Sequence, residues 1–421
     1  MNQPSIEPTT NKVNLLNFLA FIILTSGVLF SLLIAALGGL IGLFTLVNLA
    51  QDGAFNNQLF TALNLTMMMF TLSVLMIPGW LVSLRRLFNK QPAAQAPDQS
   101  NNRGMQLPNI ALAVTAAALV AVYLLMQAFD GIQWLLPFLQ IPAVIVPLFW
   151  IYRFTTRHFS TKKPRRNWFF LGLNLTIQPV LAFSIEILLL IFMGLLIIFW
   201  LALNPSLLEN VLSQFEMLTD MNLPMEQAED LIAGFLENPW IFWLVQFFVA
   251  LLVPLVEEFI KPILLFRWVK RPLRAVDGFW LGLISGTAFT LFENFGNVSG
   301  IMAQDWFFVT FARYGTSFLH MATSAAMGWA LMQTFIDRKV IRAVLVYGGV
   351  VILHGIWNFF ALLAGFSVLP MKNPLAIYSL SPIAPIILVF IVLLCAAILF
   401  IGGHALFRQS EVNQPAIENI S

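Results

Sequence analysis

The sequence predicts an all-α fold, a polytopic integral membrane bundle of about ten transmembrane helices with both termini on the inner side. Three observations lead there. The 421 residues are 59% hydrophobic and only 10% charged, against roughly 25% charge in an ordinary water-soluble domain. The apolar residues gather in runs of about 20, the length that crosses a hydrocarbon core. These runs are continuous rather than alternating, so their backbone hydrogen bonds close within helices and not around a barrel. The lipid bilayer is therefore the first partner. A net charge of +2 gives no sign of a nucleic-acid partner, and the single cysteine, Cys395, rules out a disulfide within the chain.

Taken in order, spans are expected near 15–49, 59–84, 109–129, 134–152, 179–203, 239–266, 276–297, 307–335, 343–366 and 383–406. The first run far exceeds the roughly 7–15 apolar residues of a signal-peptide core, so it reads as a retained span. Pro137, Pro142 and Pro147 predict an irregular fourth span, since proline removes a helix donor. The fifth has a loose start, because 168–178 is also apolar.

Orientation follows from lysine and arginine. With the N-terminus inside, the inner segments hold Lys12, Arg85, Arg86, Lys90, Arg103, Arg153, Arg157, Lys162, Lys163, Arg165, Arg166, Arg267, Lys270, Arg271, Arg274, Arg338, Lys339, Arg342 and Arg408. That is nineteen of the 22 bases, and the opposite orientation would put all of them on the wrong side. The arrangement implies a multi-pass protein of the cytoplasmic membrane.

Four regions are expected. Residues 1–166 hold four spans without a charge in their apolar cores; 167–238 add the fifth span and an acidic outer loop; 239–366 form a four-helix core; 367–421 carry the last span and a polar inner tail. The outer loop 205–238 has seven acids and no base, and its stretch "LLENVLSQFEML" has the spacing of an amphipathic surface helix. The bland reading, a solvated connector, is preferred to a substrate lid. Segment 88–108 reads as a flexible linker, and the chain has no evident internal repeat.

The chemistry concentrates in 239–366. Glu257, Glu258 and Lys261 lie in the sixth span, Glu293, Asn294 and Asn297 in the seventh, Arg313 and His320 in the eighth, and His354 and Asn358 in the ninth. A charged residue at the centre of a spanning helix costs about 2.5–3.5 kcal/mol on insertion scales, so such residues are rare and face protein or water. Counting about 1.5 Å per residue from inner-surface positions puts Glu257, Glu293, His320, His354 and Asn358 roughly 18–27 Å deep, in one slab. Glu257 and Lys261 are i,i+4 and share a face, as do His354 and Asn358. Small residues, among them Gly282, Ser285, Gly286, Gly315, Ser324 and Gly328, would let the helices approach closely. Lys261 and Arg313 read most simply as counter-ions. The isolated Glu186, His158 and His404 read as packing or solvated residues.

Two glutamates, two histidines and an asparagine at one depth suit the deprotonation of a water for attack on a carbonyl, with N–H donors for the developing oxyanion. Glu257, His320 and His354 would equally serve as zinc ligands. The spacing is not that of HEXXH, and the choice between glutamate-activated and metal-activated water stays open.

These residues resemble the motifs of the PrsW family of intramembrane proteases, within the wider superfamily of type II CAAX prenyl endopeptidases and bacteriocin-processing proteins. "EEFIK" (257–261) is similar to the family's EExxK motif, "FEN" (292–294) to its second motif, His320 to the histidine of the third, and "HGIWN" (354–358) to the closing HxxxN. Where the family often has a tyrosine after the second glutamate, this chain has Asn297. The resemblance implies a peptidase in which Glu257, assisted by His320, activates water. His354 and Asn358 would then form the oxyanion site, with Glu258 and Glu293 in support. It also implies regulated proteolysis of a membrane-anchored, anti-sigma-like substrate. The rival classes are an ion-coupled transporter, which would also bury Glu, Lys and His, and a non-catalytic scaffold.

Overall fold

The structure, a computed structural model, describes residues 15–52, 57–88, 105–129, 132–157, 164–203, 209, 225–268, 274–300 and 305–412. Among them every regular element is helical: α1 (Leu15–Asp52), α2 (Asn57–Leu87), α3 (Gln106–Ala128), α4 (Leu136–Thr156), α5 (Pro164–Ala202), α6 (Met225–Leu236), α7 (Pro239–Phe247), α8 (Val253–Ile260), α9 (Ala275–Ser299), α10 (Trp306–Asp337), α11 (Val340–Phe366), α12 (Ala384–Ala397) and α13 (Gly403–Val412). A π-turn, Phe248–Leu252, joins α7 to α8, and a second, Ile398–Gly402, joins α12 to α13. The chain is a multi-pass membrane protein built as an all-α bundle.

Nine helical stretches among the described residues are long and apolar enough to cross a membrane. Each matches one of the ten expected spans; the remaining one, expected at 307–335 and formed by α10, has the length but not the apolarity. The reason is its surroundings. From Thr316 to Ser324 α10 is buried almost throughout, its hydroxyls and His320 included, so protein rather than lipid is its solvent. The irregular fourth span is corrected: α4 is one helix through Pro142 and Pro147, with Pro137 in its first turn where no intrahelical donor is missed. The fifth span begins early, at Pro164. The amphipathic stretch of the outer loop lies outside the described residues apart from Glu209, as do His158, Lys12, Arg103 and most of the 88–108 linker. In the same loop α6 forms further on, at Met225–Leu236.

Two compact units emerge. The first comprises the described residues within 1–144, 160–177 and 295–306. There α1 and α2 pack closely because Gly38 lies against Thr66 and Gly42 against Leu59, while Gly79 of α2 meets the Trp168 carbonyl and Gly172 of α5. Trp80 Nε1 donates to Thr25 Oγ1 at 2.9 Å. A buried polar knot ties three segments: Gln140 Nε2 donates to the Asn64 carbonyl at 2.8 Å, and Ser299 Oγ donates to Gln140 Oε1 at 3.2 Å. Outward-facing Leu29, Phe30, Leu33 and Phe44 form an apolar exterior suited to lipid.

The second unit comprises the described residues within 145–159, 178–294 and 307–421. Asn238 starts α7: its Oδ1 accepts from Trp240 N at 3.0 Å, with Pro239 at the first helical position. Glu237 accepts from the backbone N–H groups of Lys372 and Asn373, fastening the loop after α11. Within this unit α9 and α10 run antiparallel in close contact. A side chain at Gly278 would strike Gly328 and Met332, at Gly282 the Ser324 carbonyl, and at Gly286 the His320 carbonyl. Glycine at these three positions lets the two backbones meet, and that register sets up the site.

Candidate active site

The antiparallel register of α9 and α10 is the first positioning device. Gly286 faces His320, and seven residues farther along each helix stand Glu293 and Arg313, with Arg313 NH2 2.6 Å from Glu293 Oε2. The same carboxylate oxygen lies 2.6 Å from His320 Nε2. Arg313 Nε donates to Asn294 Oδ1 at 2.9 Å, and Asn294 Nδ2 donates to Ser317 Oγ at 2.9 Å. Arg313 is thereby clamped between two adjacent residues of α9.

The second device is the end of α8. Pro262 cannot donate to the Glu258 carbonyl, and the chain leaves the α-helix at Ile260 for a 3-10 turn, Ile263–Trp268. The Lys261 carbonyl, exposed by that change, accepts from Gln178 Nε2 at 2.8 Å and from Ser285 Oγ. Both donors are buried, so the helix end is closed by α5 and α9 rather than by water. Lys261 itself is fully buried. Its Nζ donates to Glu258 Oε1 at 2.6 Å, lies 3.2 Å from Glu257 Oε2 and 2.7 Å from His320 Nδ1, and stands 4.5 Å over the Phe289 ring.

The third device is the π-turn. Gly355 of α11 comes against the Ala250 carbonyl, where any side chain would clash, and Asn358 Nδ2 donates to the Val249 carbonyl at 2.8 Å. Tyr347 adds a bond from its hydroxyl to the Leu255 carbonyl at 2.8 Å. These contacts seat α11 on the α7–α8 segment and bring His354 Nδ1 to 2.9 Å from Glu258 Oε1.

The histidine tautomers follow from this geometry. An ammonium only donates, so His320 Nδ1 must accept from Lys261, which puts the ring proton on Nε2, facing Glu293. A carboxylate only accepts, so His354 carries its proton on Nδ1, facing Glu258, and its Nε2 keeps a lone pair. That Nε2 lies 3.9 Å from Glu257 Oε2, and His320 Nδ1 lies 4.0 Å from the same oxygen. The imidazole rings stand edge to face, 4.9 Å apart. Acceptor atoms of Glu257, His320 and His354 thus stand within 4.8 Å of one another in the buried centre, that of His320 shared with Lys261.

Of the residues expected at the site, the structure brings Glu257, Glu258, Lys261, Glu293, His320 and His354 into one cluster, with Arg313 and Asn294 on its flank. It gives two of them a different bearing from the expected oxyanion pair. His354 turns a lone pair, not an N–H, toward Glu257, and Asn358 gives an N–H to the π-turn. Glu186, expected to be a packing residue, interacts electrostatically with Glu293, Lys261 and Glu257. Its position follows from the α5–α9 contact: Gln178 bonds Ser285 at 2.6 Å, Ala182 packs on Phe289, Phe183 meets Phe292, and one turn on come Glu186 and Glu293. Gln178 and Glu186 are eight residues apart, a helical-face spacing that marks both in the sequence.

Glu257, His320 and His354 also form a group able to hold a metal ion, with ligand atoms all within 4.8 Å of one another. The donor set fits: one carboxylate oxygen and two imidazole nitrogens, as zinc takes. So do the groups behind it, since each histidine has a carboxylate on its other ring nitrogen, the arrangement that fixes metal-bound imidazoles. One group intrudes, the Lys261 ammonium on His320 Nδ1.

No curated protein and no solved structure matches the chain. The segment 228–398, less than half of the chain yet holding every cluster residue but Glu186, is similar to the PrsW family intramembrane metalloproteases, whose family model it matches.

Proposed function

We propose that this protein is an intramembrane endopeptidase that hydrolyses a peptide bond of a membrane-anchored protein. The observation that carries the reading is the convergence of Glu257 Oε2, His320 Nδ1 and His354 Nε2, three acceptors whose other partners are already set. Such a point binds a water or a cation, and a water there has the Glu257 carboxylate and the His354 imidazole to take its proton, with His320 Nδ1 held by Lys261. Similarity to the PrsW family over 228–398 supports the peptidase class.

In this reading Glu258 and Glu293 hold His354 and His320 in the tautomers that face inward. Lys261 and Arg313 offset the three carboxylates so that burial is tolerated. A metal ion, held by Glu257, His320 and His354, would supply Lewis-acid polarisation of the scissile carbonyl. Gly355 and Asn358 position His354 rather than bind the oxyanion. The basic residues of the inner segments support an N-in, C-in orientation in the cytoplasmic membrane, with an anti-sigma-like substrate as the candidate class for regulated proteolysis.

The test compares new protein N-termini in membranes holding the wild type or Glu257→Gln at matched abundance. Termini that depend on the wild type establish the peptidase and identify its substrate. Equal termini from two folded, abundant proteins would overturn the reading, and a pH-dependent ion flux lost in the variant would point to a transporter instead.

A further inference from the structure

His320 Nδ1 has one lone pair, and Lys261 Nζ is on it at 2.7 Å. The same ammonium lies 3.2 Å from Glu257 Oε2. Two of the three members of the metal-capable group therefore already face a cation, and that cation is part of the chain. A metal ion needs the same lone pair, at about 2.0–2.1 Å from a histidine nitrogen. One electron pair serves one occupant.

We propose that Lys261 is a built-in competitor at this centre: its ammonium fills the cation position while no metal is bound, and a divalent ion enters only as Lys261 withdraws from His320. This rests on the reading of Glu257, His320 and His354 as a cation-holding group. Three features support it. Lys261 has a second anchor, Glu258 Oε1 at 2.6 Å, which it keeps when it leaves His320. By accepting from Lys261 through Nδ1, His320 is held in the tautomer that a metal at Nδ1 requires, with Glu293 behind Nε2, so the competitor also keeps the vacated position ready. Charge allows both cations: among the described residues Glu257, Glu258 and Glu293 have Lys261 and Arg313 as cationic partners beside the two histidines, and Glu186 stands nearby. Metal affinity is thus set by the lysine, and the step from metal-free to loaded protein is a short movement of one side chain.

The experiment titrates Co²⁺ into the full-length protein in nanodiscs and follows the visible d–d absorption. Wild type, Lys261→Met, Glu258→Gln and the double variant Lys261→Met/Glu258→Gln are compared. The double variant removes one positive and one negative charge together, while the new amide can still accept from His354 Nδ1, so it stays folded if the single change does not. The expected result is Co²⁺ binding tighter by about tenfold or more without the lysine, the factor of one charge-assisted hydrogen bond released. Equal or weaker binding in folded Lys261→Met relative to the wild type, or in the folded double variant relative to Glu258→Gln alone, overturns the proposal. So does a wild type and variants that all give no cobalt spectrum. Wild-type-dependent cleavage without cobalt binding would sink this inference and leave the peptidase reading standing; a tight cobalt site without cleavage would do the reverse.

Discussion

His354 Nδ1 and Glu258 Oε1 lie 2.9 Å apart, joining residues separated by 96 positions in the chain. The contact does two things. It holds the imidazole with its Nε2 lone pair toward Glu257, and it shares Glu258 Oε1 with Lys261, so one oxygen organises a base and a cation. Glu258→Gln should keep an acceptor for His354 and lose the charge that holds Lys261. Peptidase turnover is expected to fall roughly 10–100-fold, the usual effect of losing a carboxylate behind an active-site histidine. Glu258→Leu should lower unfolding stability by about 1–3 kcal/mol more, because Lys261 and His354 then also lose the buried acceptor that the amide keeps. Thermal unfolding of the two variants in the same detergent measures the difference.

Arg313 reaches Glu293 with NH2 and Asn294 with Nε, a fork that a lysine cannot reproduce. Arg313→Lys is expected to keep the ion pair and lose the Asn294 bond. In a double-mutant cycle with Asn294→Ala the coupling should come to roughly 1 kcal/mol, since the Asn294 change removes nothing further once the guanidinium is gone. Additive effects would show that the two contacts do not share this geometry.

Helix proximity gives a sharper contrast. A Cβ at Gly282 would strike the Ser324 carbonyl, whereas one at Gly296, on the same helix, would meet nothing within 4 Å. Gly282→Ala should destabilise by about 1–3 kcal/mol, with loss of activity as α9 and α10 part and carry Glu293 from His320. Gly296→Ala should be neutral or slightly stabilising, because alanine restricts the unfolded chain. Equal melting temperatures for the two would contradict the close approach.

Asn358→Leu removes the donor to the Val249 carbonyl inside the membrane. The expected cost is about 1–3 kcal/mol, the penalty of an acceptor left without a partner. Activity should fall because His354, four residues earlier, loses its seat. Asn358→Gln should recover little, since the longer side chain shifts the amide by one methylene. Activity of the two variants at matched folded fraction measures how much of the motif is scaffold.

Much of the bundle was legible because membrane spans announce themselves by length and apolarity, and because a charge in a span is costly enough to mark a site. Glu257, Lys261, Glu293, His320 and His354 stand out by that cost together with their gathering in four consecutive spans. What remained hidden depends on where backbone groups go. The polarity of α10 was visible, but that it is shielded by protein on most sides depends on Gly278, Gly282 and Gly286, whose partners lie on another helix. Glu186 seemed solitary because the residue that gives it meaning, Glu293, is reached only through the Gln178–Ser285 and Ala182–Phe289 register. Asn358 has the residue type of an oxyanion donor, and its bond to Val249 O arises because a π-turn, which no periodicity announces, stands opposite.

That π-turn has a consequence for how the protein tolerates change in length. Phe248–Leu252 accommodates one residue more than an α-helical turn would. Upstream, Trp240 and Trp243 present their rings outward; downstream, Glu257 and Glu258 point inward. Deleting a single codon within 248–252 would absorb the surplus residue into an ordinary α-helical turn, leaving both glutamates facing inward but removing the carbonyl geometry of Val249 and Ala250 against which Asn358 and Gly355 sit. The surplus residue thus serves to turn backbone carbonyls toward α11, and its loss would be felt in the seat of His354 rather than in the direction of the acids.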